Sequence, residues 1–255
     1  MNHSQLIFIS LFTLMSISIG AQDYFKIKYE VSTEIDIANM KMNGISLKDT
    51  NLADAVLQSS KNNYYYELLS NKSESNFYHL EKIDNNQPSE PGSIVVKIEP
   101  GGKTIYKNFE ENIILDEKNF LNKKFITSDS LKNYKWNLTN ERKTILDYEV
   151  IKAVSQIDST KLITAWYAPK LPFKDGPYKY WGLPGIILEL EILRNGESND
   201  KTRFLAVEIS ISEKKNKFKK PEKGDIISIE EYKSMVKEFR DKEINYFQDG
   251  VDTSN

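Results

Sequence analysis

One stretch constrains the fold more than any other. Gly176-Pro177-Tyr178-Lys179-Tyr180-Trp181-Gly182-Leu183-Pro184-Gly185 runs directly into Ile186-Ile187-Leu188-Glu189-Leu190-Glu191-Ile192, so an aromatic cluster enters a turn and an apolar strand leaves it. Leu183 precedes proline and is pushed toward extended geometry. Pro184 sets φ for the first central position of a turn, and Gly185 is expected to supply the positive φ that a type II turn needs next. Gly182 lets the backbone before it bend or approach another element closely. Beyond the turn, Ile186, Leu188, Leu190 and Ile192 share one face while Glu189 and Glu191 fall on the other. That alternation marks a half-buried strand of an antiparallel sheet.

The rest of the chain is consistent with such a sheet. Residues 23–33 alternate around Tyr24, Ile27, Tyr29 and Val31 and read as a first strand. Residues 34–60 carry weak patterns of helical turns or strand pieces. Residues 63–69 and 75–83 form a hairpin about the polar turn at 71–74, with Phe77, His79 and Glu81 on one face of the returning strand. Residues 94–98 and 103–108 form a second hairpin about Pro100-Gly101-Gly102. Short strands follow at 113–115 and 124–127, then a meander over 134–138, 144–157 and 161–167, its last tight turn at Asp158-Ser159-Thr160. Residues 204–211 pair with the strand after the turn, with Leu205, Val207, Ile209 and Ile211 sharing a face. Ser228-Ile229-Glu230-Glu231 is a capping box, so a helix is expected to start at Ser228 and run to about Phe247. Ile229, Tyr232, Met235, Val236 and Phe239 give it an apolar stripe that packs on the sheet. The predicted fold is mainly β: a single curved antiparallel sheet or open barrel-like meander with a C-terminal α-helix packed on it.

The N-terminus reads as an export signal. Residues 1–21 hold no Lys, Arg, Asp or Glu, and an apolar run ends at Gly20-Ala21. This fits a secretory signal peptide cleaved after Ala21, the alternative being an uncleaved N-terminal anchor. No later stretch is long and apolar enough for a transmembrane span. The expected organisation is a signal peptide at 1–21, one β-rich domain at 22–250 and a polar tail at 251–255. Cysteine is absent, so neither disulfides nor thiolate metal sites are available, and the fold must rest on its core. A mature chain of this length buries about 70–75% of its unfolded surface. A net charge of −2 gives no reason to expect nucleic acid as a partner.

The aromatic entry, the Gly-Leu-Pro-Gly turn and the strand GLPGIILEL resemble the GLPGLI family of exported proteins from Bacteroidetes, with Ile186-Ile187 where the family name has Leu-Ile. Upstream, Ala165-Trp166-Tyr167, Leu171-Pro172 and Gly176-Pro177-Tyr178 are similar to that family's Ala-Trp-Tyr strand, proline and Gly-Pro-aromatic lead-in. Trp136, Ile145, Tyr148 and Lys152-Ala153 fit the preceding segment; Tyr66-Glu67-Leu68 and Ser75-Asn76-Phe77 fit an earlier one more loosely. Asp147 and Val150 stand where the family pattern has Gly and often Cys. The resemblance implies an exported all-β envelope protein of unknown function, in the periplasm, at the outer membrane or outside the cell. It carries over no catalytic residues.

Direct reading of the residues finds few routes to catalysis. The only histidine after the signal segment is His79, and a Ser-His-acid triad would have to use it with Ser73 or Ser75; an ordinary strand histidine is the alternative. One His and no Cys leave no zinc site. Glu189, Glu191 and Glu208 suit either a Ca²⁺ or glycosidase-type carboxylate group or the wet face of a half-covered sheet. Trp166, Tyr167, Tyr178, Tyr180 and Trp181 are the candidate ligand-binding residues, forming either a stacking surface or a packed sheet end, with Gly182, Leu183, Pro184 and Gly185 as the structural motif beside them. The basic segment 214–223 reads as a solvated loop or a partner-binding patch. The expected function is an exported envelope protein that binds a small hydrophobic ligand, a peptide or a protein partner and uses no cofactor or metal. A carboxylate-dependent hydrolase acting on glycans or peptides is the alternative.

Overall fold

The computed structural model describes residues 24–81 (except 40, 43, 44, 47 and 49–52), 103–196, 200–212 and 217–251. The expected signal peptide, the strand at 94–98 and its turn at 100–102 lie outside these residues. The chain forms β1 (Tyr24–Ile35), β2 (Lys41–Met42), β3 (Ile45–Ser46), α1 (Ala53–Ser60), β4 (Tyr64–Ser70), β5 (Glu74–Leu80), β6 (Thr104–Asn108), β7 (Ile113–Phe120), β8 (Lys123–Ser130), β9 (Asn137–Ile145), β10 (Tyr148–Asp158), β11 (Lys161–Ala168), β12 (Ile186–Arg194), β13 (Asp200–Ser212), β14 (Asp225–Ile227) and α2 (Ile229–Val251). Twelve strands make one curled sheet in the order β14-β8-β7-β6-β5-β4-β1-β13-β12-β11-β10-β9, not closed into a barrel. Its pairs are antiparallel except β14 on β8. The mainly β expectation, with a C-terminal helix packed on the sheet, is met.

Period-2 patterning explains which side is which. On the inner face, β1 places Phe25, Ile27, Tyr29 and Val31, β4 places Tyr66 and Leu68, β5 places Phe77, and β13 places Phe204 and Ala206, all in one core. Tyr66 and Phe77 stack at 5.0 Å. The connection between β11 and β12, residues 169–185, returns across this inner face. Leu171, Phe173, Tyr180 and Leu183 from it are buried in the same core, each worth about 1.5–3 kcal/mol on leaving water. Phe173 packs on Phe25 at 4.2 Å. That burial holds a connection longer than most loops against the sheet.

The capping box forms as the sequence implies. The Glu231 amide donates to Ser228 Oγ at 3.1 Å, and the Ser228 amide donates to Glu231 Oε2 at 2.7 Å. The Ile229 amide also donates to Asp129 Oδ2 at 3.1 Å, which ties the helix start to β8. Tyr232 and Phe239 pack on Phe120 and Phe125 with ring separations of 5.4–6.3 Å. Before reaching the helix, residues 217–224 cross the outer face, where Phe218 packs with Tyr106, Leu115 and Ile126. The chain thus passes over the outer face, adds β14 at the sheet edge and folds back inside as α2.

Three details differ from the sequence-based expectation. β9 is longer than expected and almost wholly polar, because it is the edge of the sheet and has no second layer to cover it. The run read as 144–157 is broken by Leu146 and Asp147, both at positive φ, as a two-residue type I′ hairpin requires. In β13 the core face carries Phe204 and Ala206, whereas Val207 and Ile211 are exposed. A bulge also splits the expected shared face: Lys28 pairs with Glu208 and Tyr29 with Ala206, leaving Val207 unpaired, so Ile209 and Ile211 fall opposite Ile27 and Phe25 on the side away from Leu205 and Val207.

Candidate functional site

The 169–185 crossing is built from local backbone constraints. The Gly185 amide donates to the Leu183 carbonyl at 2.8 Å, closing a three-residue γ-turn about Pro184 in place of the expected type II turn. The positive φ belongs to Gly182, at 96°. Gly185 is needed for space instead: a Cβ there would sit 2.2 Å from the Ala168 carbonyl oxygen. Gly176 likewise leaves room for Ile187, whose Cβ would lie 2.8 Å from an added methyl. Tyr178 adopts φ of 55°, an outlier for an aromatic residue and the kind of strain that persists only when its surroundings demand it.

The sheet does not bring all five candidate aromatics together. Trp166 projects from the outer face, where Lys143 lies 4.2 Å from its ring centroid. Tyr167 is buried in the core. Trp181 is a staple: its indole Nε1 donates to the Lys132 carbonyl at 2.9 Å, its own carbonyl accepts from Trp136 Nε1 at 3.0 Å, and its ring rests 5.6 Å from Phe109. Tyr178 and Tyr180 remain, and Tyr134 joins them. Tyr180 lies 5.1 Å from Tyr134 and 6.1 Å from Tyr178, and Tyr178 stacks on Phe204 at 6.3 Å.

Each of these three rings carries a lysine. Lys132 lies 5.8 Å from the Tyr134 centroid, Lys161 5.9 Å from Tyr180 and Lys179 5.1 Å from Tyr178. The carboxylates that act on these lysines are engaged elsewhere, Asp116 with Lys118, Asp200 with Arg194 and Asp158 with the Thr160 amide and hydroxyl. Burial, reinforced by Lys161, pulls the Lys179 ammonium down to about 8, with Asp116 opposing. Burial also lowers Lys161, with Arg194 and Lys132 adding to it. Burial raises Tyr134, Tyr178 and Tyr180, so all three hydroxyls stay protonated at neutral pH. The Tyr180 side chain is 1% exposed, and its hydroxyl has no hydrogen-bond partner. Asp116 Oδ1 is buried in the same state, and burial raises the pKa of that carboxyl. Chemically, the cluster offers an aromatic floor, two half-buried ammonium groups and an unsatisfied hydroxyl.

A buried ion pair anchors this connection from below. Lys107 Nζ meets Asp175 Oδ1 with both side chains essentially out of water (0% and 1% exposed), and also donates to the Gly176 carbonyl at 2.9 Å. Burial lowers the Lys107 pKa, and the Asp175 charge opposes the shift. The Ile187 amide donates to the Asp175 carbonyl at 3.0 Å, and the Tyr29 hydroxyl donates to the Ile187 carbonyl at 2.6 Å. Sequence reasoning misses this pair, although Lys107 alternates onto the same face as Ile105 and so points to a lysine in the core.

The other catalytic candidates are not assembled. Glu189 is buried between Lys143 and Arg203, and Arg203 also reaches Glu191 at 3.9 Å, so these carboxylates are neutralised by cations. The face holding Glu189 is therefore paired and partly covered. His79 packs on Tyr66 at 5.0 Å and Tyr64 at 5.9 Å. Ser75 lies four positions away along β5, about 13 Å at strand spacing, and the Ser73 hydroxyl donates to Glu110. Among the described residues no group of three or more His, Cys, Asp or Glu is placed to hold a metal ion, and no helix is long and apolar enough to cross a membrane.

Residues 154–189 match a protein family described as "Protein of unknown function (Porph_ging)". The matched segment contains β11, the crossing connection and the start of β12, and is compatible with the GLPGLI resemblance. No curated protein matches the chain. Among solved structures the chain is similar to PNGF-II, at 21% identity and a TM-score of 0.49 over 84% of this chain; it spans 32% of the length of that protein. It is also similar to an uncharacterized conserved protein from Thermus thermophilus, at 8% identity, TM-score 0.36, and 81% and 91% coverage of the two chains. A LolA superfamily protein from Nitrosomonas europaea matches at 11% identity, TM-score 0.29, and 74% and 86% coverage.

Proposed function

We propose that this chain is a GLPGLI-type envelope protein, exported through its N-terminal segment, that binds a small amphiphilic anion on the inner face of its sheet. The observation that carries the reading is the Tyr134–Tyr178–Tyr180 floor with Lys161 and Lys179 above it, neither ammonium having a carboxylate in ion-pair contact among the described residues. Charged groups held half-buried without partners are destabilising in the free protein, and an anionic ligand relieves that cost. The rings receive its apolar body, and the Tyr180 hydroxyl awaits a partner. The role is binding, since the carboxylates that a hydrolase would use are held by Lys143 and Arg203.

Dodecanoate serves as the probe in titration calorimetry. The expected result is saturable binding at one site per chain, weakened at least about tenfold by Lys179→Ala and by Lys161→Ala. Equal affinity for dodecanoate and the uncharged dodecanol would sink the anion-binding part of the proposal. Cell fractionation tests export, with the chain shortened by cleavage after Ala21 and found outside the cytoplasm; full-length chain in the cytoplasm would refute that part.

A further inference from the structure

A second charged concavity lies on the other side of the sheet, where residues 217–224 cross the strands. It has a volume of about 490 Å³, in the range of small-molecule sites. Its lining includes Lys103, Lys118, Lys124, Lys219, Lys220 and Lys223, against two carboxylates, Glu117 and Glu222. Apart from Lys118, whose charge Asp116 neutralises, the formal excess is three positive charges. Lys118 is ion-paired with Asp116 and, opposite Phe125 in the register, alternates onto the inner face; the other five lysines have no ion pair among the described residues. In sequence the basic segment 214–223 reads as a solvated loop or partner patch; the fold turns its residues 218–223 into one wall of a groove.

That wall is fixed in place. Asn76 clamps the backbone of Lys219 from both sides, its Nδ2 donating to the Lys219 carbonyl at 2.9 Å and its Oδ1 accepting from the Lys219 amide at 2.6 Å. Phe218 stacks on Tyr24 at 6.0 Å and fills the outer cluster of Tyr106, Leu115 and Ile126. Pro221 is buried, and Gly224, at φ 143°, passes so close to β8 that a Cβ would meet the Lys124 carbonyl oxygen at 2.9 Å. Lys103 and Lys124 from the sheet and Lys219, Lys220 and Lys223 from the strap therefore line a common space on a rigid backbone. Holding like charges together is unfavourable in the empty protein, and a ligand of opposite sign reverses that term.

We infer that this groove is a binding site for a compact polyanion, a small molecule carrying several phosphate or sulfate groups. The cavity size favours a small ligand over a long acidic chain. Ammonium groups act as point charges that suit phosphate and sulfate oxygens from several directions. The site is independent of the tyrosine–lysine cluster, which lies on the opposite face.

The test is calorimetric titration of the full chain with inositol hexakisphosphate. One site per chain is expected, with affinity falling at least about tenfold between about 50 and about 200 mM salt. Lys219→Glu/Lys220→Glu should lower affinity at least about tenfold. The same charge change at two lysines outside the groove's lining, Lys72→Glu/Lys237→Glu, should lower it by less than about threefold. All four positions are exposed, so melting temperature should be unmoved and a failure to fold is distinguishable. Lys161→Ala/Lys179→Ala should leave this binding intact, which separates it from the inner-face reading. The inference is overturned by equal losses in the two glutamate double variants, by several weak sites per chain, or by tighter binding of poly-glutamate than of inositol hexakisphosphate.

Discussion

Removing one member of the Lys107–Asp175 pair is the sharpest perturbation the structure offers. Asp175→Asn leaves a buried ammonium with only neutral acceptors, the Gly176 carbonyl and the substituted amide oxygen; Lys107→Met leaves a buried carboxylate whose Oδ2 already lacks a partner. Breaking such a pair costs about 3–5 kcal/mol, because the remaining charge stays out of water. In a chain of this size about 1 kcal/mol moves the melting temperature by about 2–4 °C, so each single variant should melt about 6–20 °C lower. The double variant Lys107→Met/Asp175→Leu carries no uncompensated charge and should lose far less than the sum of the singles. The Asp175→Asn penalty should also depend on pH. The folded Lys107 pKa lies below its unfolded value of 10.5, so between the two values the unfolded state binds more protons and stability rises with pH. Without Asp175 the folded value falls further and the window widens downward. Urea denaturation at about pH 7 and about pH 9.5 should therefore show a smaller penalty at the higher pH. Single variants costing under about 1 kcal/mol, or additive losses in the double variant, would refute a pair isolated from water.

Other outcomes follow from the same geometry. Gly185→Ala should cost several kcal/mol or prevent folding, because of its 2.2 Å approach to the Ala168 carbonyl oxygen; Gly182→Ala, strained only by φ, should cost about 1 kcal/mol in chemical denaturation. Tyr180→Phe removes a buried hydroxyl with no partner, so stability should hold or rise by up to about 1 kcal/mol while dodecanoate affinity drops. With free Lys179 titrating at about 8, dodecanoate affinity should fall by up to about tenfold per pH unit above that value; a flat profile from pH 7 to 10 would remove Lys179 from the site. Ser228→Ala should cost about 1 kcal/mol by breaking the capping box, measured as lost helicity and a lower denaturation midpoint.

The two kinds of structure differ in how legible they are in the residues. The capping box at Ser228 and Glu231 is closed by groups three residues apart, so the pattern alone specifies it. The β4–β5 hairpin is equally plain, since its alternation and polar turn are local. β9 is not, because an edge strand needs no apolar face. The expected single face of Leu205, Val207, Ile209 and Ile211 is split because one unpaired residue, Val207, shifts the alternation midway along β13. At the site, the aromatic run names Tyr178 and Tyr180 correctly as neighbours but groups them with Trp166, which β11 sends to the other face.

Gly182-Leu183-Pro184-Gly185 shows where local chemistry ends. Residue types alone required a tight turn there and an antiparallel strand beyond it, because proline and glycine restrict or free their own backbone angles wherever they occur. Only the tertiary structure decided that Gly182 carries the positive φ, that Gly185 exists to let the Ala168 carbonyl through, and that the whole segment lies inside the curl of the sheet. The same holds for the two lysine clusters. Lys161 acts on Lys179, and Lys103 and Lys220 line one cavity, across separations in sequence that no pattern records, because the curl of the sheet and the path of the strap bring them together.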